Sequence, residues 1–257
     1  MIIGNKKFEN YTYVMAIINL TPDSFWGASR KDEYSVLKAV EKAVKDGAAV
    51  IDIGAQSTRP GYTEVSADGE MKRLERPLRL IKENFAVPVS VDTYFSKCAS
   101  LALSIGADMI NDIWGLSRDR DMASLIAAAG ASVCIMHNAV APLEGEIFPQ
   151  INSFLKDAVS LALDKGIKSE KICIDGGIGF AKSREQNLYL LENYSRLSSL
   201  GYPLLLGTSR KSLFGGKAED RLEATKESTR HAARNGVLFV RVHDVKENAE
   251  AIREVLG

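Results

Sequence analysis

The strongest constraint on this chain is a repeated alternation. Eight short apolar runs, most of them closing on a polar residue, are separated by segments with helical periodicity. The runs are 14–20, 49–54, 88–92, 109–113, 132–137, 172–175, 203–207 and 237–242. The helical segments are 33–46, 68–84, 95–105, 120–129, 153–165, 185–200, 220–235 and 246–256. Short runs that are apolar throughout read as parallel strands buried on both faces. Gly47, Gly106, Gly130, Gly166, Gly201 and Gly236 stand where a helix should stop before the next strand. Pro77 is expected to bend or divide its helix. Eight βα units in 257 residues match a closed (β/α)8 TIM barrel, an α/β fold. An open doubly wound sheet would carry a glycine-rich dinucleotide turn after its first strand, and NLTPDSF (19–25) is not one. With no linker, repeat or low-complexity stretch, residues 1–257 read as a single domain.

Thirty-three basic residues balance thirty-three acidic ones, so no net attraction to nucleic acid or to a membrane surface is expected. No stretch approaches the ~20 apolar residues of a membrane span, and the N-terminal residues form no signal-like apolar core. Cys98, Cys134 and Cys173 are far apart and sit mostly within apolar runs, which suits burial in a reducing cytoplasm.

The polar residues at the strand ends are Asn19, Asp52, Asp92, Asn111 with Asp112, His137, Asp175, Ser209-Arg210-Lys211, Arg241 and His243. Any one of them alone would read as a loop cap. Their succession at the C-terminal lip of a parallel barrel, where ligands bind in that fold, points to an enzyme. The long segments NLTPDSFWGASRKDE (19–33) and GAQSTRPGYTEVSADGE (54–70) should lie at the same face and close over a substrate. Lys211, Arg241 and His243, helped by the Ser209 and Ser212 hydroxyls, concentrate donors where barrels bind phosphate. Opposite them, Asp92, Asn111 and Asp175 offer acceptors that suit an amidine-like edge such as an aminopyrimidinone ring. Lys211 and Arg59 neutralising those carboxylates internally is the other reading. Asn19 is an oxygen donor suited to Mg²⁺, which takes few protein ligands. Other chemistries fit less well. His137, His231 and His243 form no metal-ligand spacing, no serine elbow is present, and Lys211 stands among polar residues rather than in an apolar Schiff-base pocket.

At NLTPDSF (19–25), STRPG (57–61), SVDT (90–93), NDIWG (111–115), GIGFAK (177–182), GTSRKS (207–212) and RVHDV (241–245), in that order, the chain resembles the dihydropteroate synthases of the pterin-binding barrel family. The resemblance covers essentially the whole chain. It implies a transferase of folate biosynthesis that joins (7,8-dihydropterin-6-yl)methyl diphosphate to 4-aminobenzoate. By the same resemblance Asp92, Asn111, Asp175 and Lys211 hold the pterin. Asn19, Arg241 and His243 hold the diphosphate, with Asn19 toward its Mg²⁺. Thr58, Arg59, Pro60, Phe180, Lys211 and Ser212 border the 4-aminobenzoate. The catalytic set is then Asp92, Asp175, Lys211, Arg241 and His243.

The chain departs from the family pattern at Trp26-Gly27-Ala28-Ser29, Gly54-Ala55-Gln56, Asp175-Gly176-Gly177 and Asn138. The alternatives are a diverged pterin-binding paralogue, or a folate-binding methyltransferase of the wider family. The family's habit of pairing late barrel helices implies a homodimer. Here the segment RLEATKESTRHAARNG (221–236) is so charged that the contact is expected to be polar.

Overall fold

A computed structural model describes residues 1–20, 30–56 and 65–257. After a short hairpin, β1 (Ile2–Ile3) and β2 (Lys6–Lys7), strands and helices alternate to the end of the chain. The order is β3 (Tyr13–Asn19), α1 (Arg30–Lys45), β4 (Ala48–Gly54), α2 (Ala67–Asn84), β5 (Val89–Asp92), α3 (Ser96–Ile105), β6 (Met109–Asp112) and α4 (Met122–Ala129). There follow β7 (Ser132–Met136), α5 (Ile147–Asp164), β8 (Ile172–Asp175), α6 (Arg184–Glu192), β9 (Leu205–Leu206), α7 (Leu222–Arg234), β10 (Phe239–Val242) and α8 (Val245–Leu256). The eight strands β3 to β10 pair in parallel in the order β8-β7-β6-β5-β4-β3-β10-β9. A bridge between Ile174 and Leu204 joins the two ends of that order. The (β/α)8 barrel is therefore as expected.

Period-two alternation along the strands separates two environments. Ile51, Ile110, Ile135, Ile174, Leu206 and Val240 face outward and pack in the large core beneath the helices. Met15, Val50, Met109, Cys134, Cys173, Leu205 and Phe239 face inward and fill the barrel. The hairpin closes the lower end of that interior, with Ile3 fully buried and Phe8 only 3% exposed. Phe8 stands edge-on to Phe239, ring centroids 5.2 Å apart. Two residues further along each strand, the same inward face carries Asp52, Asn111, Asp175 and Arg241. The barrel axis thus turns from apolar to charged within one pleat repeat.

Three features of the helices differ most from the sequence expectation. The helix read as 153–165 begins at Ile147. Pro149 in its first turn costs nothing there, since the N–H it lacks has no intrahelical partner. The segment read as one helix over 185–200 is α6 followed by a 3-10 stretch, Tyr194–Leu200, with Asn193 (φ −111°, ψ 22°) between them. Pro77 does not divide α2, whose buried Leu74, Leu78 and Ile81 anchor the helix on both sides of the missing hydrogen bond. The glycine stops hold: Gly106 and Gly130 take left-handed φ values of 111° and 62° as C-caps of α3 and α4.

Candidate active site

Because β4, β5 and β10 each place an inward polar residue at one level, Arg241 lies between two carboxylates. Its Nε donates to Asp52 Oδ2 at 2.6 Å and its Nη2 to Asp92 Oδ2 at 2.7 Å. Asp52 is fully buried and Asp92 is 8% exposed. Sequence reasoning set the cationic corner opposite the acceptors. The structure interleaves them on one floor, because a carboxylate buried at that depth is costly without a cation beside it. Burial opposes the charge of Arg241, but Asp52 and Asp92 outweigh it and push its pKa up. Burial raises Asp92 to about 7, with Arg241 pulling downward and Asp52 upward.

Asp175 ends β8 in a turn that engages only half of its carboxylate. Oδ1 lies 2.7 Å from the Gly177 N–H and 2.8 Å from the hydroxyl of Tyr194. Tyr194 also accepts from Gly176 N–H at 2.9 Å. Among the described residues Asp175 Oδ2 and the side-chain amide of Asn111, a residue 4% exposed, have no hydrogen-bond partner. Asp92 Oδ1 is buried without one as well. Burial raises the Asp175 pKa, and the charge of Lys211 partly offsets it.

Lys211 is more enclosed than its polar neighbours in sequence suggested. The loop after β8 folds over it, so that Lys211 Nζ donates to Ile178 O and lies 4.8 Å from the centre of the Phe180 ring. Burial lowers its pKa to about 8 against the pull of Asp175. Phe180, like Phe95 and Trp114, packs against the cluster of Tyr94, Ile113 and Met136, an apolar wall above the charged floor. Ser212 is exposed at the start of a 3-10 turn, Ser212–Phe214.

His243 and Asn19 meet at the β3–β10 seam. His243 Nδ1 is 2.9 Å from Ser209 Oγ, which also accepts the His243 backbone N–H at 3.1 Å. The Ser209 hydroxyl is therefore spent on orienting the imidazole. Asn19 Nδ2 lies 3.4 Å from His243 Nε2, leaving Asn19 Oδ1 with no partner among the described residues. One neutral, unpartnered oxygen suits a cation that takes most of its ligands from phosphate and water.

Thr58, Arg59 and Pro60, and most of NLTPDSF, lie outside the described residues. Gln56 Nε2 donates to Tyr94 Oη at 2.6 Å while its Oε1 accepts Val65 N–H at 2.9 Å. Asp112 faces outward and caps its own loop, accepting from Trp114 N–H at 2.8 Å and Leu116 N–H at 2.9 Å. Arg210 likewise points away, onto Asp244. Sequence reasoning gave Tyr94, Ile113, Met136 and Tyr194 no part in the site. The inward alternation of β7 offered a signal for Met136, whereas nothing local marks Tyr194.

The pattern of the family described as "Pterin binding enzyme" matches residues 15–243. A dihydropteroate synthase of Clostridium beijerinckii is 43% identical over 98% of this chain and 97% of its own. A Clostridium difficile dihydropteroate synthase, solved in the presence of pteroic acid, superposes with a TM-score of 0.94 at 41% identity, covering 97% of each chain. One from Xanthomonas albilineans, solved with 4-aminobenzoic acid, gives a TM-score of 0.90 at 34% identity over 95% of this chain and 92% of its own.

Proposed function

The chain belongs to the dihydropteroate synthases of the pterin-binding enzyme family, and from that premise we propose how its own residues carry the reaction. It is a transferase that joins pterin methyl diphosphate to 4-aminobenzoate in folate biosynthesis. The observation that carries the assignment is the set of unsatisfied acceptors on one floor: Asp92 Oδ1, Asp175 Oδ2 and the Asn111 amide. A flat ring with several N–H donors satisfies all three, with the Phe180–Met136 wall against its face. Lys211 borders both this ring and the aminobenzoate pocket, which Phe180, Ser212 and the Thr58-Arg59-Pro60 segment complete.

Arg241 keeps its Nη1 clear of the two carboxylates, so the same guanidinium that is anchored by Asp52 and Asp92 can grip a diphosphate oxygen. His243, oriented by Ser209, lies beside it and holds the Asn19 amide by its Nδ2, so that Asn19 Oδ1 would be the protein's ligand for Mg²⁺. Bound Mg²⁺ supplies positive charge that stabilises the departing diphosphate. As the C–O bond breaks, positive charge spreads from the methylene into the pterin, where ionised Asp92 and Asp175 favour it. The aromatic amine then attacks that carbon, and no protein nucleophile takes part. A coupled assay of diphosphate release tests the reading, and release should require both substrates and Mg²⁺ together.

The three cysteines are free and buried, which suits a cytoplasmic location. Among the described residues no helix is long and apolar enough to cross a membrane. We also infer a homodimer with a polar contact. The apolar Ala232 and Ala233 of α7 are buried, while Glu227 is exposed and paired with Arg230 and Arg234. Such a contact should come apart on dilution and respond to salt. A dimer persisting into the low-nanomolar range in a sedimentation series would contradict it.

A further inference from the structure

We propose that Lys182 is a positioning residue for the 4-aminobenzoate pocket, holding the 177–181 loop so that Phe180 and Lys211 keep one fixed spacing. This rests on the synthase reading above. The ammonium of Lys182 donates to Gly177 O at 3.0 Å and Phe180 O at 3.0 Å, and it lies 2.9 Å from His137 Nδ1. All three partners are neutral, and together they use the three N–H bonds that an ammonium has. Lys182 forms no ion pair among the described residues, so it is not one half of a salt bridge that happens to be buried. Burial also holds the neighbouring His137 uncharged, its pKa lowered to about 3, so that Nδ1 is available to accept.

The loop needs such a centre. Gly177 (φ 70°), Gly179 (φ 84°) and Ala181 (φ 48°) are three left-handed residues in five, one of them bearing a side chain that disfavours it. A Cβ on Gly177 would stand 1.9 Å from His137 O, so the coil presses directly on the end of β7. Wound this way, the carbonyls of Gly177, Ile178 and Phe180 turn toward ammonium groups: Lys182 takes the first and third, and Lys211 takes the second. Lys182 is thus tied to Phe180 through its backbone and to Lys211 through a shared loop. It makes no hydrogen bond to Asp92, Asn111, Asp175 or Arg241. It reaches the pterin ligands only indirectly, through the loop shared with Lys211 and its charge near Asp175, so it should act more strongly on the second substrate than on the first.

The test is steady-state kinetics of the full chain and its Lys182→Met and Lys182→Arg variants, each checked for folding by thermal melt. Lys182→Met should raise KM for 4-aminobenzoate by about tenfold or more while KM for pterin diphosphate rises much less. Lys182→Arg keeps the charge and multiple donors, and should recover most of that loss. A pH profile supplies the readout that a merely structural residue would not move. Burial lowers the Lys182 pKa to about 7, with Asp175 raising it, Lys211 lowering it and His137 facing it. Deprotonation leaves two N–H bonds for three acceptors, so KM for 4-aminobenzoate should climb from about pH 6 to about pH 8.5. Arginine does not titrate there, so the climb should be shallower in Lys182→Arg, and Lys211 titrates in both proteins and cancels in the comparison. Both KM values rising equally, neither rising, or identical pH profiles would overturn the inference while leaving the synthase reading intact. Absence of wild-type turnover would overturn that reading and, with it, the substrate named here.

Discussion

Replacing Arg241 with alanine should destabilise the protein by about 3–5 kcal/mol near pH 8, because it strands two buried carboxylates at once. Asp52 is fully buried with its Oδ1 already unpartnered, and Asp92, 8% exposed, has its Oδ1 unpartnered as well. Urea unfolding measures the loss. The penalty should shrink in acid for a reason that fixes its sign. The folded pKa of Asp92 is raised to about 7, so its protonated form favours the fold, and that contribution is lost as pH rises through about 7. Without Arg241 the Asp92 carboxylate holds its proton more tightly still, so the Asp92 share of the penalty should fade toward about pH 5. A loss below about 1 kcal/mol at pH 8 would show that the Asp52–Arg241–Asp92 arrangement is not what holds the floor together. The same geometry changes what this variant reports. Arg241 is bonded to a proposed pterin ligand, so its removal should weaken pterin binding as well as diphosphate binding.

Asp175→Asn, by contrast, should separate the two ligands cleanly. Gly177 N–H and the Tyr194 hydroxyl both address Oδ1, so the amide oxygen will occupy that position. The NH₂ group then takes the place of Oδ2 and meets a ring N–H with another N–H. Losing that charge-assisted bond costs about 1.5–3 kcal/mol, on the order of a 10- to 100-fold loss of pterin affinity. Diphosphate affinity should change less than about twofold, since none of its proposed ligands touches Asp175. Calorimetry with each ligand alone decides this, and equal losses for both would mean that the pocket is divided wrongly.

How much of this was legible beforehand follows from the range of each interaction. The barrel was legible because its signal is local and repeated: an apolar run followed by a helical segment, eight times over, with a polar terminus on most runs and a glycine stop after six of the helices. The inward residues Asp92, Asn111, Asp175, Arg241 and His243 were legible because strand ends mark themselves. What pairs with what was not. Arg241 meets Asp92 across 149 residues and Asp52 across 189, and no spacing rule spans such distances. Residues with mixed prospects went either way. Asp112 follows Asn111 in sequence but points to the other face, as period two requires, and serves only its own loop. Tyr194 lies in a stretch whose composition reads as helix, yet a 3-10 turn delivers its hydroxyl to Asp175. The N-terminal hairpin escaped because two-residue strands carry no periodicity at all.

On this reading one interleaved floor of carboxylates and cations serves both substrates, with diphosphate leaving before the amine attacks. The measurement that bears on it most directly is diphosphate release by the purified full chain in an omission series. Release should proceed with pterin diphosphate, 4-aminobenzoate and Mg²⁺ together, and should fall to background when any one of the three is left out. Release that continues without 4-aminobenzoate, or no release from a protein that still binds pterin by calorimetry, would contradict the account.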